Sequence, residues 1–216
     1  STPKLLCQQA VCGEASDGAR PYDSSWDFWS YVPLSVALGG AMAPSLARAA
    51  DGDDRVGGAG DSSIVLTQAL AITMVATELS KTFAPRYRPF LAYPSNARGV
   101  ANRTSPDASA SFWSGHSSIS FAAATVGSID ACRGGGPLGC LGPSLVLHSL
   151  AVSTAAMRVL AGKHHASDVI VGGAVGAAVA TVVALVHAPK GREEGDVAMR
   201  VGTGAQFALF SCSGVF

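Results

Sequence analysis

Apolar positions in this chain are concentrated in four segments, which are separated by stretches rich in glycine, proline and polar residues. The four segments are residues 64–83, 117–129, 144–160 and 168–187. Each carries few charges and is long enough for several helical turns, a pattern typical of buried helices. A fifth apolar stretch, residues 28–50, contains Pro33 and Pro44 and is predicted to form one or two helical pieces. The pattern predicts an all-α fold, a helical bundle of about five to six helices.

The connections between these segments have the composition of loops. Residues 51–62 are rich in glycine and aspartate, residues 86–111 contain several prolines and arginines, and residues 131–143 combine glycine, cysteine and proline. One of the polar residues 61–63 is predicted to cap the helix that follows. The chain is therefore expected to contain three regions: a polar N-terminal arm (1–27), a helical domain that carries the candidate chemistry (28–190) and a C-terminal tail (191–216).

Composition limits the possible functions. The formal net charge is zero at pH 7, and charged residues make up 14% of the chain. A nucleic-acid-binding protein needs a basic excess, so nucleic acid is excluded as a general partner. Residues 169–186 carry no charge and approach the roughly 20 apolar residues that a membrane-spanning helix requires. Membrane association is therefore compatible with the sequence.

The five cysteines bear on the compartment. Cys7 and Cys12 are close in sequence, as are Cys132 and Cys140, and such short loops suit disulfides in an exported protein. We expect an exported protein, periplasmic or extracytoplasmic, that is soluble or peripheral, with an integral inner-membrane protein as a close alternative. If helices spanned a membrane with the chemistry outside, the acidic 51–62 loop would face the cytoplasm, against the positive-inside rule.

Three short motifs carry side chains suited to phosphate chemistry. They are Lys81-x6-Arg88-Pro89, Ser114-Gly115-His116 and Arg158-x5-His164-x3-Asp168. Transfer of a phosphoryl group requires neutralisation of its negative charge, and Lys81, Arg88 and Arg158 supply three positive groups. The planar guanidinium of arginine is matched to pairs of phosphate oxygens. Together the motifs predict one phosphate pocket.

The second and third motifs add hydrogen-bond donors and a nucleophile. Ser114 offers a hydroxyl, and the backbone N–H groups of Gly115 and His116 are free at the start of a predicted helix. A neutral imidazole attacks phosphorus to form a phosphohistidine, and His164 is the candidate because Asp168, four residues later, can fix its tautomer. His116 is then expected to protonate the leaving oxygen.

Other polar and aromatic residues near the motifs receive a structural interpretation. Glu78, Asp107, His148 and His187 are isolated in sequence and provide no obvious ligand set for a metal. The apolar residues that flank the motifs are either core or the wall of a substrate groove, and core is expected for most of them. These flanking residues are Phe90, Leu91, Tyr93, Phe112 and Trp113.

At these motifs the chain resembles the type 2 phosphatidic acid phosphatase and vanadium haloperoxidase superfamily. That family shows K-x6-R-P, P-S-G-H and S-R-x5-H-x3-D, and the resemblance extends over about residues 64–187. Two flanking positions depart from the pattern, because Trp113 stands in place of the proline and Met157 in place of the serine. No residue with a catalytic role is replaced.

The resemblance implies a bundle whose motifs meet at one end to form the active site. It implies that His164 attacks, His116 is the acid and Asp168 orients His164. It also implies that five residues bind phosphate: Lys81, Arg88, Ser114, Gly115 and Arg158. The expected activity is that of a metal-independent acid phosphatase acting on phosphate monoesters, without a cofactor and with vanadate as an inhibitor.

Two alternatives to the phosphatase stay open at the level of sequence. The same pocket can hold vanadate as a cofactor and oxidise halides, but the chain is short for a haloperoxidase, and the run of residues 167–172 resembles the phosphatase branch. An inactive anion-binding or scaffold domain is the other alternative. Lipid phosphates, diphosphates, sugar phosphates and nucleotides all present a similar head group, so the sequence leaves the substrate open.

Overall fold

The computed structural model describes residues 20–52, 59–92, 106–134 and 136–188. Within these ranges the chain forms seven α-helices, two short 3-10 turns and no strand, which confirms the all-α prediction. The helices are α1 Ser24–Trp29, α2 Tyr31–Gly40, α3 Ala43–Ala50, α4 Ala59–Phe83, α5 Gly115–Gly134, α6 Pro137–Leu160 and α7 Ala166–Val186.

Helix α5 lies at the centre of the bundle and packs against α4, α6 and α7. Its inner face consists of small side chains, among them the fully buried Ala122 and Ala123. Small residues allow helix backbones to approach closely, and α7 contributes Gly176 to this contact. A Cβ atom at Gly176 would lie 2.0 Å from the carbonyl oxygen of Ser118. The glycine is therefore required by the close packing of α5 and α7.

Several element boundaries differ from those predicted. Helix α4 begins at Ala59, inside the predicted linker, and Asp61 therefore lies in its first turn rather than before it. Helix α5 is longer than the predicted segment, and the predicted turn 131–143 contains the end of α5 and the first turns of α6. Pro137 stands at the first position of α6, where proline is favoured because no intrahelical donor is lost.

A disulfide joins Cys132 at the end of α5 to Cys140 at the start of α6. This is the end of the bundle opposite to the first turn of α5, which begins at Gly115. Cys7, Cys12 and Cys212, as well as the C-terminal tail, lie outside the described residues.

Three helices are long and apolar enough to cross a membrane: Gly60–Phe83, Pro137–Leu160 and Ala166–Val186. The sequence pattern had favoured the last of them. Their outward faces carry large apolar side chains that no other part of the described chain covers, such as Val75 (61% exposed), Leu145 (60%) and Ile170 (69%). The bundle therefore has an apolar exterior as well as an apolar core.

Candidate active site

Four helix ends meet at one end of the bundle. Lys81 lies in the last turn of α4 and Arg158 in the last turn of α6, while His116 and Asp168 lie in the first turns of α5 and α7. Residues that are distant in sequence are thus brought together by the antiparallel arrangement of the helices. The three motifs predicted from sequence share this one end.

The segments between the helices are tied together by backbone hydrogen bonds. The N–H groups of Arg86 and Arg88 donate to the carbonyl oxygens of Ser109 (2.9 Å) and Ala108 (3.0 Å). The N–H of Phe90 donates in turn to the carbonyl oxygen of Gly162 (3.1 Å), which lies two residues before the predicted nucleophile His164. The loop that carries Arg88 is therefore fixed relative to the turn that carries His164.

A polar cavity of about 230 Å³ lies among these elements. Six of the eight residues predicted from sequence line it: Lys81, Arg88, Gly115, His116, Arg158 and His164. The remaining lining residues are Asp27, Tyr31, Asp107 and Lys163. The volume is sufficient for a phosphoryl group and the first atoms of a leaving group.

Arg88 is buried and held by three different groups. Its Nε donates to the carbonyl oxygen of Asp107 (2.8 Å), and its Nη2 donates to the Oδ1 atom of the same residue (2.5 Å). Its Nη1 donates to the carbonyl of Lys163 (3.0 Å) and lies 3.4 Å from Nε2 of His164. The guanidinium is therefore positioned beside the nitrogen that is predicted to attack phosphorus.

Arg158 and Lys163 share an acidic partner on α1. The Nη1 of Arg158 donates to Oδ1 of Asp27 and to the hydroxyl of Ser30 (3.3 Å). The Nζ of Lys163 lies 3.6 Å from Oδ2 of Asp27 and 3.8 Å from Oδ2 of Asp107. Arg88, Arg158 and Lys163 are thus placed by carboxylates that face the same space. Lys81 pairs instead with Glu78 (2.7 Å), which does not line the cavity.

His164 is almost fully buried, and its two ring nitrogens have different surroundings. Its Nδ1 lies 2.7 Å from the carbonyl oxygen of Ser111. Because a carbonyl only accepts, this contact places the proton of the neutral ring on Nδ1 and leaves the lone pair on Nε2. Burial lowers the pKa of His164 well below its usual value, and the nearby Arg88 and Arg158 lower it further. The ring is therefore neutral, as a nucleophile must be.

Asp168 lies near His164 but does not accept its proton. Its Oδ2 is 4.0 Å from Nδ1 of His164, so the direct hydrogen bond expected from sequence is replaced by the contact to Ser111. The fully buried carboxylate accepts instead from the hydroxyl of Ser111 (2.6 Å), Nη1 of Arg86 (2.7 Å) and the N–H of His165 (3.0 Å). These three donors compensate for the loss of water on burial.

His116 faces the cavity from the start of α5. Its ring meets the ring of Tyr31 edge to face at 4.6 Å, and its buried Nε2 has no hydrogen-bond partner within the described residues. Burial lowers the pKa of His116 to about 3, and the positive charges of Arg158 and Arg88 act in the same direction. The free nitrogen is available to a ligand in the cavity.

Ser114 is fully buried and lies behind the cavity wall. Its Oγ accepts weakly from the N–H of Ser117 (3.4 Å), as an N-cap of α5 does, and its own N–H donates to the carbonyl of Asp168 (3.1 Å). A Cβ at Gly172 would lie 2.6 Å from the carbonyl oxygen of Ser114. Its role in phosphate binding stays a prediction.

A family model described as the PAP2 superfamily matches residues 63–192, which is more than half of the chain. The chain belongs to the PAP2 superfamily. The matched region contains all three motifs and confirms the resemblance that they indicated. No curated protein matches the chain, and no solved structure matches it either.

Sequence analysis missed four residues of this PAP2 cavity. Asp107 was interpreted as structural, but its carboxylate holds Arg88 at the cavity wall. Asp27 and Tyr31 lie at least 50 positions before the first motif residue, Lys81, so no spacing pattern connects them to the site. Lys163 precedes His164 directly, and this adjacency was the one available signal.

The residues that the sequence grouped with the N-terminal arm reach this PAP2 site. The N–H of Asp23 donates to the carbonyl of Ala161 (3.2 Å). Gly162 has a φ of 68°, and a Cβ there would lie 2.6 Å from the carbonyl oxygen of Arg20. Residues 20–27 therefore pack against the turn that carries the predicted nucleophile.

The apolar flanking residues that the structure describes, Phe90, Leu91, Phe112 and Trp113, do not line the cavity. Phe90 is 1% exposed and packs edge to face on Tyr22, so its interpretation as core is confirmed. The indole Nε1 of Trp113 donates to the hydroxyl of Thr77 (3.0 Å), which fixes the residue that stands in place of the family's proline. Tyr93 lies outside the described residues. His165 points away from the cavity, with Nε2 3.2 Å from the carbonyl of Tyr87.

Proposed function

We propose that this PAP2 protein is a metal-independent phosphatase that hydrolyses phosphate monoesters through a phosphohistidine at His164. The observation that carries the proposal is the neutral ring of His164, whose Nε2 lies 3.4 Å from the Arg88 guanidinium in a cavity lined by four cationic side chains. A phosphate dianion needs such a set of positive groups, and an attacking imidazole needs a free nitrogen.

The proposed reaction has two steps. In the first, Nε2 of His164 forms a bond to phosphorus while the ester P–O bond breaks, and the leaving oxygen takes a proton from His116. In the second, a water molecule gives a proton to His116 and its oxygen attacks phosphorus. The P–N bond breaks, inorganic phosphate is released and the neutral His164 is restored. His116 begins and ends the cycle protonated.

The proton on His116 is expected to arrive with the substrate. In the ligand-free cavity, burial and nearby cations keep this ring neutral, with a pKa of about 3. A bound phosphate dianion places negative charge beside the ring, which favours its protonated form. A substrate that binds as the monoanion brings the same proton itself. Either route predicts highest activity under mildly acidic conditions, as in an acid phosphatase.

The proposal requires no cofactor, because the neutralising charges come from the chain itself. Lys81, Arg88, Arg158 and Lys163 all line the cavity. Vanadate resembles the five-coordinate phosphorus of the transition state, and the same donors fit it. We therefore expect vanadate to inhibit.

Lipid phosphates are the substrate class that the surroundings of the cavity favour. Helix α1 directs Asp27 toward Arg158, while its neighbours Phe28 (66% exposed) and Trp29 (54% exposed) face outward. Aromatic side chains of this kind are enriched at membrane–water interfaces. Together with the apolar outer faces of three long helices, they would hold the cavity at the level of lipid head groups. Hydrolysis of a phosphatidate in vesicles, compared with a water-soluble aryl phosphate, tests this preference.

Export is supported by the disulfide between Cys132 and Cys140, because such bonds persist in oxidising compartments. The membrane association is tested by flotation of the protein with lipid vesicles and by extraction at alkaline pH. Resistance to extraction indicates an integral protein, and release indicates a peripheral one. Failure to float overturns the proposed association.

The activity is tested by release of inorganic phosphate from an aryl phosphate in the presence of EDTA. We expect wild-type activity that is lost in His164→Ala. Activity that disappears with EDTA and returns with a divalent cation would exclude the proposed mechanism. An inactive wild type that oxidises halides when vanadate is added would identify a haloperoxidase, and phosphate binding without turnover would indicate a binding domain.

A further inference from the structure

Ser111 connects the predicted nucleophile with the predicted acidic partner. It is fully buried, and its carbonyl oxygen lies 2.7 Å from Nδ1 of His164. Its hydroxyl donates to Oδ2 of Asp168 at 2.6 Å. One residue therefore contacts both groups, although Asp168 and the His164 ring are themselves 4.0 Å apart. No motif of the sequence includes Ser111.

Arg86 holds the same arrangement from the other side. Its Nη1 donates to Oδ1 of Asp168 (2.7 Å) and to the hydroxyl of Ser167 (2.7 Å). Its backbone carbonyl accepts from the N–H of Ser111 (3.0 Å). Arg86 thus fixes the side chain of Asp168 and the backbone of Ser111 at once, and its own side chain is three-quarters buried.

We propose that Ser111 and Arg86 are positioning residues. Asp168 then acts on His164 indirectly, through its hydrogen bond to Ser111, and not by a hydrogen bond to the imidazole itself. This inference rests on the proposed function. The Ser111 carbonyl accepts a hydrogen bond from Nδ1–H and so selects the tautomer in which Nε2 carries no proton. The Ser111 hydroxyl anchors that residue to Asp168, and Arg86 keeps the carboxylate in place. The charge of Asp168 then stabilises the ring when phosphorylation makes it cationic, without accepting its proton.

This arrangement makes a prediction that differs from a direct carboxylate–imidazole pair. In a direct pair, the Ser111 hydroxyl is dispensable, and Ser111→Ala leaves the nucleophile untouched. In the proposed arrangement, loss of the Ser111 hydroxyl removes the hydrogen bond that links Ser111 to Asp168. The Ser111 carbonyl, which aligns His164, is then held less firmly. Misalignment of a reacting group by about 1 Å can cost about a hundredfold in rate. Phosphate affinity is unaffected, because none of the cavity cations contacts the Ser111 hydroxyl.

The test measures the rate of phosphoenzyme formation in a single turnover and the inhibition constant of inorganic phosphate. The variants are Ser111→Ala, Asp168→Asn, the double variant that combines these two changes, Arg86→Met and Arg86→Lys. Ser120→Ala is the matched control, since Ser120 is equally buried and, among the described residues, its hydroxyl bonds only within its own helix (3.1 Å to the carbonyl of Ser117).

We expect Ser111→Ala and Arg86→Met to form the phosphoenzyme about tenfold to a hundredfold more slowly, with phosphate inhibition within about twofold of wild type. Arg86→Lys should recover part of the loss, and the double variant should be no slower than Asp168→Asn alone, because both changes break one network. Ser120→Ala should match the wild type.

Three results would overturn the inference. If the wild type is active and both Ser111→Ala and Arg86→Met match it, neither residue positions His164, while the phosphatase itself stands. If these variants lose phosphate affinity and rate to the same extent, their role is in packing. If the wild type forms no phosphoenzyme, the proposed function fails and the positioning role fails with it. Arg86 is partly exposed, so its variants give the answer even if Ser111→Ala does not fold.

Discussion

The Asp27 carboxylate forms an ion pair with the Arg158 guanidinium, although 131 residues separate the two in the chain. Arg158 is one of the cations assigned to phosphate, so an internal carboxylate occupies part of the surface that a phosphate oxygen would contact. Arg88 has a similar partner in Asp107 (2.5 Å). An incoming phosphate must share these cations with Asp27 and Asp107.

Removal of the Asp27 charge should therefore tighten anion binding. Burial raises the pKa of Asp27, but Arg158, the hydroxyl of Tyr22 and Lys163 outweigh this effect and lower it, so the group is ionised at neutral pH. We expect Asp27→Asn to lower the inhibition constant of inorganic phosphate by about tenfold, which corresponds to about 1.4 kcal/mol. Steady-state inhibition measures this change.

A control for this variant is Asp51→Asn, since Asp51 is exposed, follows the last residue of α3 and does not line the cavity. It should leave the inhibition constant as in the wild type. A weaker inhibition in Asp27→Asn would show that Asp27 aligns Arg158 for the substrate rather than competing with it.

Anion binding should be coupled to proton uptake at His116. This ring is neutral in the free cavity, with a pKa of about 3, and a bound dianion raises that pKa. Sulfate is a suitable probe because it does not titrate near neutral pH. We expect sulfate affinity to increase as the pH falls from about 8 to about 5, with proton uptake visible by calorimetry in buffers of different ionisation enthalpy.

His116→Asn should abolish this proton uptake, whereas His164→Asn should retain it. Proton uptake that is lost in His164→Asn but kept in His116→Asn would show that His164, and not His116, takes up the proton. Sulfate affinity that does not vary with pH in the wild type would exclude a protonated His116 in the bound state.

The two site histidines should also make stability depend on pH. The pKa values of His116 and His164 are lowered in the folded protein, so below about pH 6.5 the unfolded chain takes up protons that the folded chain does not. The stabilisation that comes from keeping these two rings neutral is therefore complete above about pH 6.5 and is lost as the pH falls. Each histidine should reduce the free energy of unfolding by up to about 2 kcal/mol between pH 6.5 and 5.

Denaturant titrations of the ligand-free protein at several pH values measure this dependence. In His116→Asn, the slope of the free energy of unfolding against pH should be about half that of the wild type. A free energy of unfolding that is constant from pH 7 to 5 would show that the rings are not kept neutral by the fold.

The contact between α5 and α7 should be sensitive to a single methyl group. A Cβ at Gly176 would meet the backbone of Ser118 at 2.0 Å, whereas a Cβ at Gly139 in the first turn of α6 meets no atom of the described residues within 4 Å. Overpacking of this kind costs about 1–3 kcal/mol, and alanine in an open helical position is favoured over glycine. Gly176→Ala should lower the Tm by several degrees and Gly139→Ala should not, as thermal unfolding would show. Equal Tm values would contradict the close packing.

The sequence predicted the parts of the site that follow from local spacing. Lys81 and Arg88 are separated by less than three helical turns, and Arg158, His164 and Asp168 follow one another closely, so each motif could be recognised on its own. Ser111 and Asp27 could not be predicted, because their roles depend on tertiary contacts with residues 53 and 131 positions away.

The same distinction applies to the fold. The apolar segments predicted the long helices, but the turn-like composition of residues 131–143 hid the start of α6 at Pro137. The spacing of His164 and Asp168 suggested a direct hydrogen bond, yet the turn before α7 directs Nδ1 to a backbone carbonyl instead. Spacing indicates which residues are close and leaves open which atoms meet.

The central claim is that His164 carries the phosphoryl group, and trapping of the phosphoenzyme tests it most directly. The protein is mixed with a phosphate monoester in the presence of EDTA, quenched in alkali, which preserves phosphohistidine, and analysed by mass spectrometry. His165 is the matched control, because it is adjacent in sequence but faces Tyr87. The account predicts one phosphoryl group that persists in His165→Ala and is absent in His164→Ala. A label that persists in His164→Ala, or ester hydrolysis without any label, would contradict it.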